Sequence, residues 1–427
     1  MRRLMSQIPL RYGSLLDGRT ALVRGYLSAV SGSAGRLVFS LVYFIALANT
    51  LSVAAFGLFA TASAAGVVLS RLLAFGFISA LYRTATKRPR LIGTFTAGFI
   101  ALSVLSLPLI GAASWGTYWL FFRADMGFGV FLGIVIAEAL LWRPFEAVVI
   151  VNNGLGLFGR AAALVIAGTA FRALAAFLFA WNADTSLGAW ALFYAAANAA
   201  TLLMGVVLAY PRQRLRLAPR LYLRRLPDSL YVAGAEALFY VQSELDKLLV
   251  LALGNAQLAG IYAIVMRLVD LTAIPIRAFT MMLVQKMMRA PDLLRGLRIR
   301  ALIEMGIFVG STLALAGLAG VLWVAPNALG RNVAEAAPIV GLALLVPGLR
   351  NLVEYQAELL FARGQTATRA LNLALLGVLK GVLLAQVLGW AKGPERLVLA
   401  LNAVFAVMYL GSMVLTYRAM RRGVRGV

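Results

Sequence analysis

The sequence predicts an all-α, polytopic membrane protein of about twelve transmembrane helices, built as two six-helix bundles that a parallel repeat relates around a central cavity. Three observations predict it. A composition that is 62% hydrophobic and only 13% charged, with a mean hydropathy of +0.87, leaves a 427-residue chain room for about a dozen crossings and no soluble domain of ordinary size. Basic residues are abundant in every second gap between apolar runs and scarce in the others. Corresponding runs of the two halves open on similar residues at a nearly constant offset.

Residues 1–24, with Arg2, Arg3, Arg11, Arg19 and Arg24, read as a cytoplasmic or interfacial segment. The first span, near 26–49, is too long for a signal-peptide core and carries Arg36, so it is expected to remain as a helix. The second, near 57–81, runs into the basic gap of Arg83, Lys87, Arg88 and Arg90. The third and fourth, near 91–112 and 127–150, flank the longest outer loop, Gly111 to Met126, and end before Arg160. The fifth and sixth, near 160–181 and 188–209, complete a first bundle taken as 25–210. The stretch 211–229, with Pro211, Pro219 and Pro227 and the arginines 212, 214, 216, 220, 224 and 225, reads as a basic linker between halves. The remaining six spans, near 230–252, 259–283, 301–325, 338–361, 367–389 and 397–417, make a second bundle, 230–418, followed by a tail of 419–427.

Counting the termini with the even gaps, those gaps hold 27 Lys and Arg, while the odd gaps hold only Arg123, Arg331, Lys392 and Arg396. The positive-inside rule therefore puts both termini in the cytoplasm. Trp115, Trp119, Trp181, Trp190, Trp323 and Trp390 fall at the predicted outer ends, as an interfacial aromatic belt would. A net charge of +24 would point a soluble protein toward nucleic acid, but here the basic loops face an anionic leaflet of membrane lipids and no nucleic-acid partner is expected. The chain has no Cys and no His, which removes disulfides, thiol nucleophiles, Cys/His metal sites and imidazole catalysis. The outer loops carry only Asp125, Asp184, Glu335 and Glu395 as acids, so no catalytic pair, metal or cofactor is expected and the chain does not read as an enzyme.

The repeat rests on two matches. Gly57-Leu58-Phe59-Ala60 corresponds to Gly260-Ile261-Tyr262-Ala263 at an offset of 203, and Gly159-Arg160 to Gly364-Gln365 at 205. Six spans separate the copies, so both halves start on the same side and a substrate site is expected between them.

The stretch from Ala48 to Ala60, through Leu51-Ser52-Val53-Ala54-Ala55-Phe56-Gly57-Leu58-Phe59, resembles the first outer turn of lipid-linked oligosaccharide flippases of the O-antigen type. The second half opens similarly, with Asp246-Lys247-Leu248-Leu249, Gly254, Ala259-Gly260-Ile261-Tyr262-Ala263 and Arg267-Leu268. Asn152 to Arg160 and Glu358 to Gln365 resemble that family's inner turns. The family belongs to the multidrug/oligosaccharidyl-lipid/polysaccharide exporter superfamily. The resemblance implies alternating access, a polyprenyl-pyrophosphate-linked oligosaccharide as substrate, a polysaccharide polymerase and glycosyltransferases as partners, and a bacterial inner membrane. Peptidoglycan-precursor flippases typically have fourteen helices, and cation-coupled multidrug antiporters of the superfamily often carry an acid in the first helix; Tyr26 to Asn49 has none. The antiporter remains the alternative.

Charges inside the spans are the site candidates, because each costs roughly 2.5 to 3.5 kcal/mol at the bilayer centre and should face protein or water. Four cations have a carboxylate within one turn: Arg143 with Glu146, Lys247 with Glu244, Arg267 with Asp270, and Arg350 with Glu354. Arg36, Arg71, Arg172, Arg277 and Lys380 have none, and these five are the candidates for the substrate's pyrophosphate, with Arg350 behind them. A rise of 1.5 Å per residue puts Arg36, Arg71, Arg172 and Lys380 ~15–20 Å from the cytoplasmic ends of their spans and Arg277 about 9 Å in. Arg36 continues the small-residue stripe of Ser28, Gly32 and Ser40, while Arg172 and Lys380 follow Gly168 and Gly377 by one turn. The repeat maps Arg71 to 274, one turn before Arg277, and Arg172 to 377, one turn before Lys380. Tyr43, Tyr240, Gln242, Tyr355 and Gln356 could face the sugars, and Asp270, Glu354 and Glu358 could couple ions.

Overall fold

The computed structural model describes residues 35–289 and 297–421. The expected amino-terminal segment 1–24, Ser28 and Gly32 of the small stripe, and the tail from Arg422 onward lie outside the described residues.

Helices follow in the predicted order. The first bundle holds α1 (Gly35–Thr50), α2 (Val53–Ser70), α3 (Ile78–Lys87), α4 (Ile92–Phe121), α5 (Phe128–Ile136), α6 (Arg143–Gly154), α7 (Phe158–Ala180) and α8 (Leu187–Ala209). The second holds α9 (Pro219–Leu253), α10 (Ala256–Arg289), α11 (Leu297–Val324), α12 (Arg331–Val340), α13 (Val346–Ala362), α14 (Thr366–Trp390) and α15 (Pro394–Arg421). Among the described residues, eight helices are long and apolar enough to cross a membrane, and the bent pair α12/α13 makes a ninth span. The other three crossings are α1, the interrupted α5–α6, and α9, whose charges keep it from reading as purely apolar. Together these make twelve candidate crossings among the described residues, and polar side chains tie loops of the same parity to one another. Gln213 donates to Pro89 O at 2.9 Å and accepts from Gly93 N at 3.0 Å, and Arg363 and Gln365 reach Met420 O and Ala419 O at 3.4 Å. That end of the molecule is the basic face.

Three predicted spans are broken. The second is interrupted at 71–77, where Ala74 and Phe75 take positive φ of 51° and Gly76 takes 71°. Left-handed backbone disfavours ordinary side chains, and the freed Ala74 N–H donates to Ser106 Oγ of α4 at 3.0 Å. The fourth carries a π turn at Ala137–Trp142. The tenth bends by 66° between α12 and α13, where Asn402 of α15 accepts from Leu345 N at 3.0 Å and donates to Leu342 O at 2.5 Å. These last two breaks are corresponding positions of the repeat, which periodicity alone does not reveal. The third span is longer than predicted: α4 continues through Trp115 and Trp119 to Phe121, so most of the expected outer loop is helix. Trp190 is fully buried against Phe59, Phe179 and Tyr194 and does not join the aromatic belt; the other five outer Trp are exposed.

The bundles are sutured at the end away from the basic face. Gly57 of α2 lies against Gly260 of α10 so closely that a methyl on either would collide with backbone of the other helix. These are the two glycines that the repeat pairs, so the pseudo-twofold axis passes through their contact. Beside them, Asn332 donates through Nδ2 to Ala48 O at 2.8 Å and Leu51 O at 2.7 Å, while Asn49 Nδ2 donates to Leu329 O at 2.8 Å. At the basic face α9 joins the bundles: its Tyr222 is buried with Phe77 and Phe95 of the first bundle, and its later turns pack on α14 of the second. The stretch expected as a linker, 211–229, comprises a segment outside any helix or strand, 211–218, and the opening turns of this helix.

Candidate functional site

Four of the five candidate cations sit in polar clusters inside the helical body. In the first, Arg71, at the break of the second span, meets Glu146 of α6 at 3.1 Å and Glu236 of α9 at 3.8 Å. Arg143 of α6 meets the same two acids at 2.7 Å each. The Arg71 guanidinium also lies 4.1 Å from the ring centre of Tyr240. In the second, Glu354 of α13 accepts from Arg277 Nε and Nη2 at 2.9 Å each, and Asp270 lies 3.2 Å from both Arg277 and Arg350. Arg350 stands 3.6 Å from Glu354.

The third cluster is confined to the first bundle. Arg172 of α7 donates to Asn198 Oδ1 at 2.7 Å, stands 3.4 Å from Glu138, and lies 3.7 Å above the Trp142 ring. Tyr194 and Ser63 donate to the same Glu138. In the fourth, Lys380 of α14 pairs with Asp246 of α9 at 3.0 Å and donates to Gln242 O at 3.0 Å, while Tyr262 donates to Asp246.

Four cations that lack an acid within one turn of their own helix therefore have one on a neighbouring helix, and Arg277 has a second, Asp270, two turns back on its own. Spacing along one helix cannot see such partners. Of the four local pairs expected, Arg143–Glu146 and Arg350–Glu354 form as part of larger clusters, and Lys247–Glu244 forms at 2.5 Å. Arg267 with Asp270 does not. Asp270 precedes Arg277 by seven residues, close to two full turns, so the two share a face of α10, whereas three residues leave Asp270 about 60° around the helix from Arg267. Arg267 instead donates to Ser40 Oγ of α1. Glu358 pairs with Arg369 at 2.5 Å.

Arg36 differs from the other four candidates. It is exposed, makes no ion pair among the described residues, and lies within electrostatic range of Arg267, Arg172 and Arg277 and of one acid, Glu146. Arg267, half-buried, also has no carboxylate partner among them. The signal for Arg267 was Ser40, one turn beyond Arg36 on the same stripe of α1; only a contact between α1 and α10 makes it legible.

A cavity of about 620 Å³ opens in the second bundle, lined by Arg277, Arg350, Lys380, Asp270, Glu354 and Glu358 among others. Tyr240 and Gln242 line it too, and the Tyr240 ring carries it to the edge of the first cluster. Arg36, Arg71 and Arg172 do not line it. Of the other expected sugar contacts, Tyr43 packs 6.0 Å from Trp190, Tyr355 is fully buried, and Gln356 turns its amide toward Glu304 at 3.5 Å.

The chain superposes along nearly its whole length on solved membrane transporters. An inward-facing multidrug resistance MATE family transporter of the MOP superfamily matches with a TM-score of 0.62 at 12% identity, covering 91% of this chain and 96% of that one. The fold is that of a MATE transporter. The MATE multidrug transporter DinF-BH matches with a TM-score of 0.59 at 14% identity over 98% of both chains. A mutant of the Vibrio cholerae MATE transporter VcmN matches with 0.56 at 15% identity, covering 95% of this chain and 98% of that one. No protein-family model and no curated protein matches the sequence. The two-lobe MATE fold accounts for the parallel repeat, the axis through Gly57 and Gly260, and the matched breaks in the fourth and tenth crossings.

Proposed function

We propose that the protein is a flippase that moves a polyprenyl-pyrophosphate-linked oligosaccharide across a bacterial inner membrane by alternating access. The observation that carries this reading is the pair Arg36 and Arg267, two intramembrane arginines from different bundles with no carboxylate partner among the described residues. A cation inside the membrane, which costs roughly 2.5 to 3.5 kcal/mol near its centre, is retained where something anionic offsets it, and a pyrophosphate diester brings about two negative charges to two guanidinium forks. In this reading the 27-to-4 division of basic residues puts the basic face in the cytoplasm, where the headgroup loads. An inside-negative potential then favours outward movement of each negative charge by about 2.3 kcal/mol per 100 mV. Tyr240 and Gln242 would receive sugars in the neighbouring cavity, and α1, with no acid in Gly35–Thr50, offers no carboxylate for cation coupling there. The polymerase and glycosyltransferases of the same polysaccharide would be its partners.

A second reading has an observation of its own. The cavity is lined by the carboxylates of Glu244, Asp270, Glu354 and Glu358 against three cations, which favours a cationic drug and an antiporter in which Asp270, Glu354 or Glu358 couples the ion. Reconstituted protein decides between them. Flipping of a fluorescent polyprenyl-pyrophosphate sugar, lost at least tenfold in Arg36→Ala and Arg267→Ala with unchanged membrane content, is the expected result. Export of a cationic dye with the sugar lipid left in place would overturn the flippase reading.

A further inference from the structure

At the basic face, α11, α13 and α15 converge on a groove of about 660 Å³, separate from the cavity just described. Four arginines line it: Arg300 near the start of α11, Arg363 at the end of α13, and Arg418 and Arg421 in the last turn of α15. The single acid in its lining is Glu304, which accepts from Tyr417 Oη at 2.6 Å and Tyr409 Oη at 3.1 Å on the inner wall. Its other walls are apolar, with Met413 and Val414 of α15 and Ala301 of α11. Both flanking helices turn bare hydrocarbon outward, Leu302 and Met305 on α11 at 71% and 61% exposure and Leu410 and Val414 on α15 at 53% and 43%, as surfaces in contact with acyl chains do.

We propose that this groove seats an anionic phospholipid from the surrounding leaflet. The phosphodiester would sit among Arg300, Arg418 and Arg421, with an acyl chain along Met413 and Val414. The chemistry requires both parts. Guanidinium forks recognise a phosphate bidentately, and the apolar trough beside them admits a ligand that has a hydrocarbon tail. Scattered loop arginines attract an anionic leaflet diffusely; four from three helices around one trough define a stoichiometric place. Because the groove lies outside the bundle interface, occupancy would brace α15 against α11 and α13 without entering the transport path.

Native mass spectrometry of the purified full chain tests the assignment, titrating phosphatidylglycerol, phosphatidylcholine and inorganic phosphate separately. Phosphatidylglycerol is expected to be retained on the order of tenfold more tightly than phosphatidylcholine, with no retention of phosphate alone. The double variant Arg418→Ser/Arg421→Ser should lose most of that preference. Arg88→Ser/Arg90→Ser, which removes the same charge from a different loop of the basic face, should leave it intact. Equal retention of the two lipids, retention of phosphate alone, or equal losses in both double variants would overturn the site. All four substituted arginines are exposed, and melting temperature checks that both variants fold; Arg300→Lys, which keeps the charge and removes the fork, is expected to weaken phosphatidylglycerol retention by itself.

Discussion

The first two polar clusters are the same device built twice. Each joins an arginine of the second or eighth crossing to an arginine and a glutamate that follow a break in the fourth or tenth: Arg71 with Arg143 and Glu146, Arg277 with Arg350 and Glu354. They differ in the acid that completes them and in what surrounds them. The first is closed by Glu236 of the shared helix α9, and the side chains of Arg71 and Arg143 are 5% and 4% exposed. The second is closed by Asp270 of its own α10, and Arg277 is 38% exposed at the cavity wall. Duplication supplied identical parts, and burial separated their roles into a strut in one bundle and a lining in the other.

Removing one acid from each cluster gives the largest expected contrast. Glu146→Gln leaves two buried arginines sharing Glu236 and should cost ~3–5 kcal/mol, read as a steep fall in melting temperature or in membrane yield. Glu354→Gln leaves Arg277 38% exposed at the cavity wall and still paired with Asp270, and should cost about 1 kcal/mol or less while changing transport. Equal destabilisation by the two would break the comparison.

The glycine suture makes an intermediate prediction. Gly57→Ala and Gly260→Ala each force a methyl into the facing backbone, so each should destabilise the closed contact by ~1–3 kcal/mol and by similar amounts. Because the chain has no Cys, spin labels at Ala54→Cys and Gln257→Cys report the α2–α10 separation without background, and both variants should lengthen it. A shift from only one of them would mean that the contact is not shared symmetrically.

Smallest are the stitches that hold the broken crossings. Ser106→Ala in the first bundle and Asn402→Ala in the second each leave backbone polar groups unpaired and should cost ~1 kcal/mol by thermal melting. A null effect at Asn402 would mean that water replaces the side chain at the bend.

Much of this architecture was legible in the sequence because a bilayer permits few spanning structures. Twelve crossings, their order and the parallel repeat follow from apolar length, charge alternation and the Gly57/Gly260 match. The breaks were not legible: Leu72 to Phe77 and Gly341 to Leu345 are as apolar as the helices around them, and only their partners Ser106 and Asn402, far along the chain, satisfy them. The site was legible in its residues and not in its pairings. Arg71, Arg172, Arg277 and Lys380 read as solitary because their acids come from other helices or, for Asp270 with Arg277, from two turns away on the same one, while Arg267 read as paired through a spacing that points its neighbour Asp270 elsewhere.

The helix α9 carries one more consequence. Its opening turns are bedded in the first bundle through Tyr222, and its later turns in the second through Asp246 and Lys380. Between them lies Gly234, the one glycine of this 35-residue helix, where an added Cβ would find no atom within 4 Å among the described residues. In the proposed cycle, rocking of the bundles would therefore not be a clean parting of two rigid halves. It would load a rod clamped at both ends, and the curvature would fall on the few turns between Ala233 and Gln242. Those turns hold Glu236 and Tyr240, which touch both the strut and the cavity.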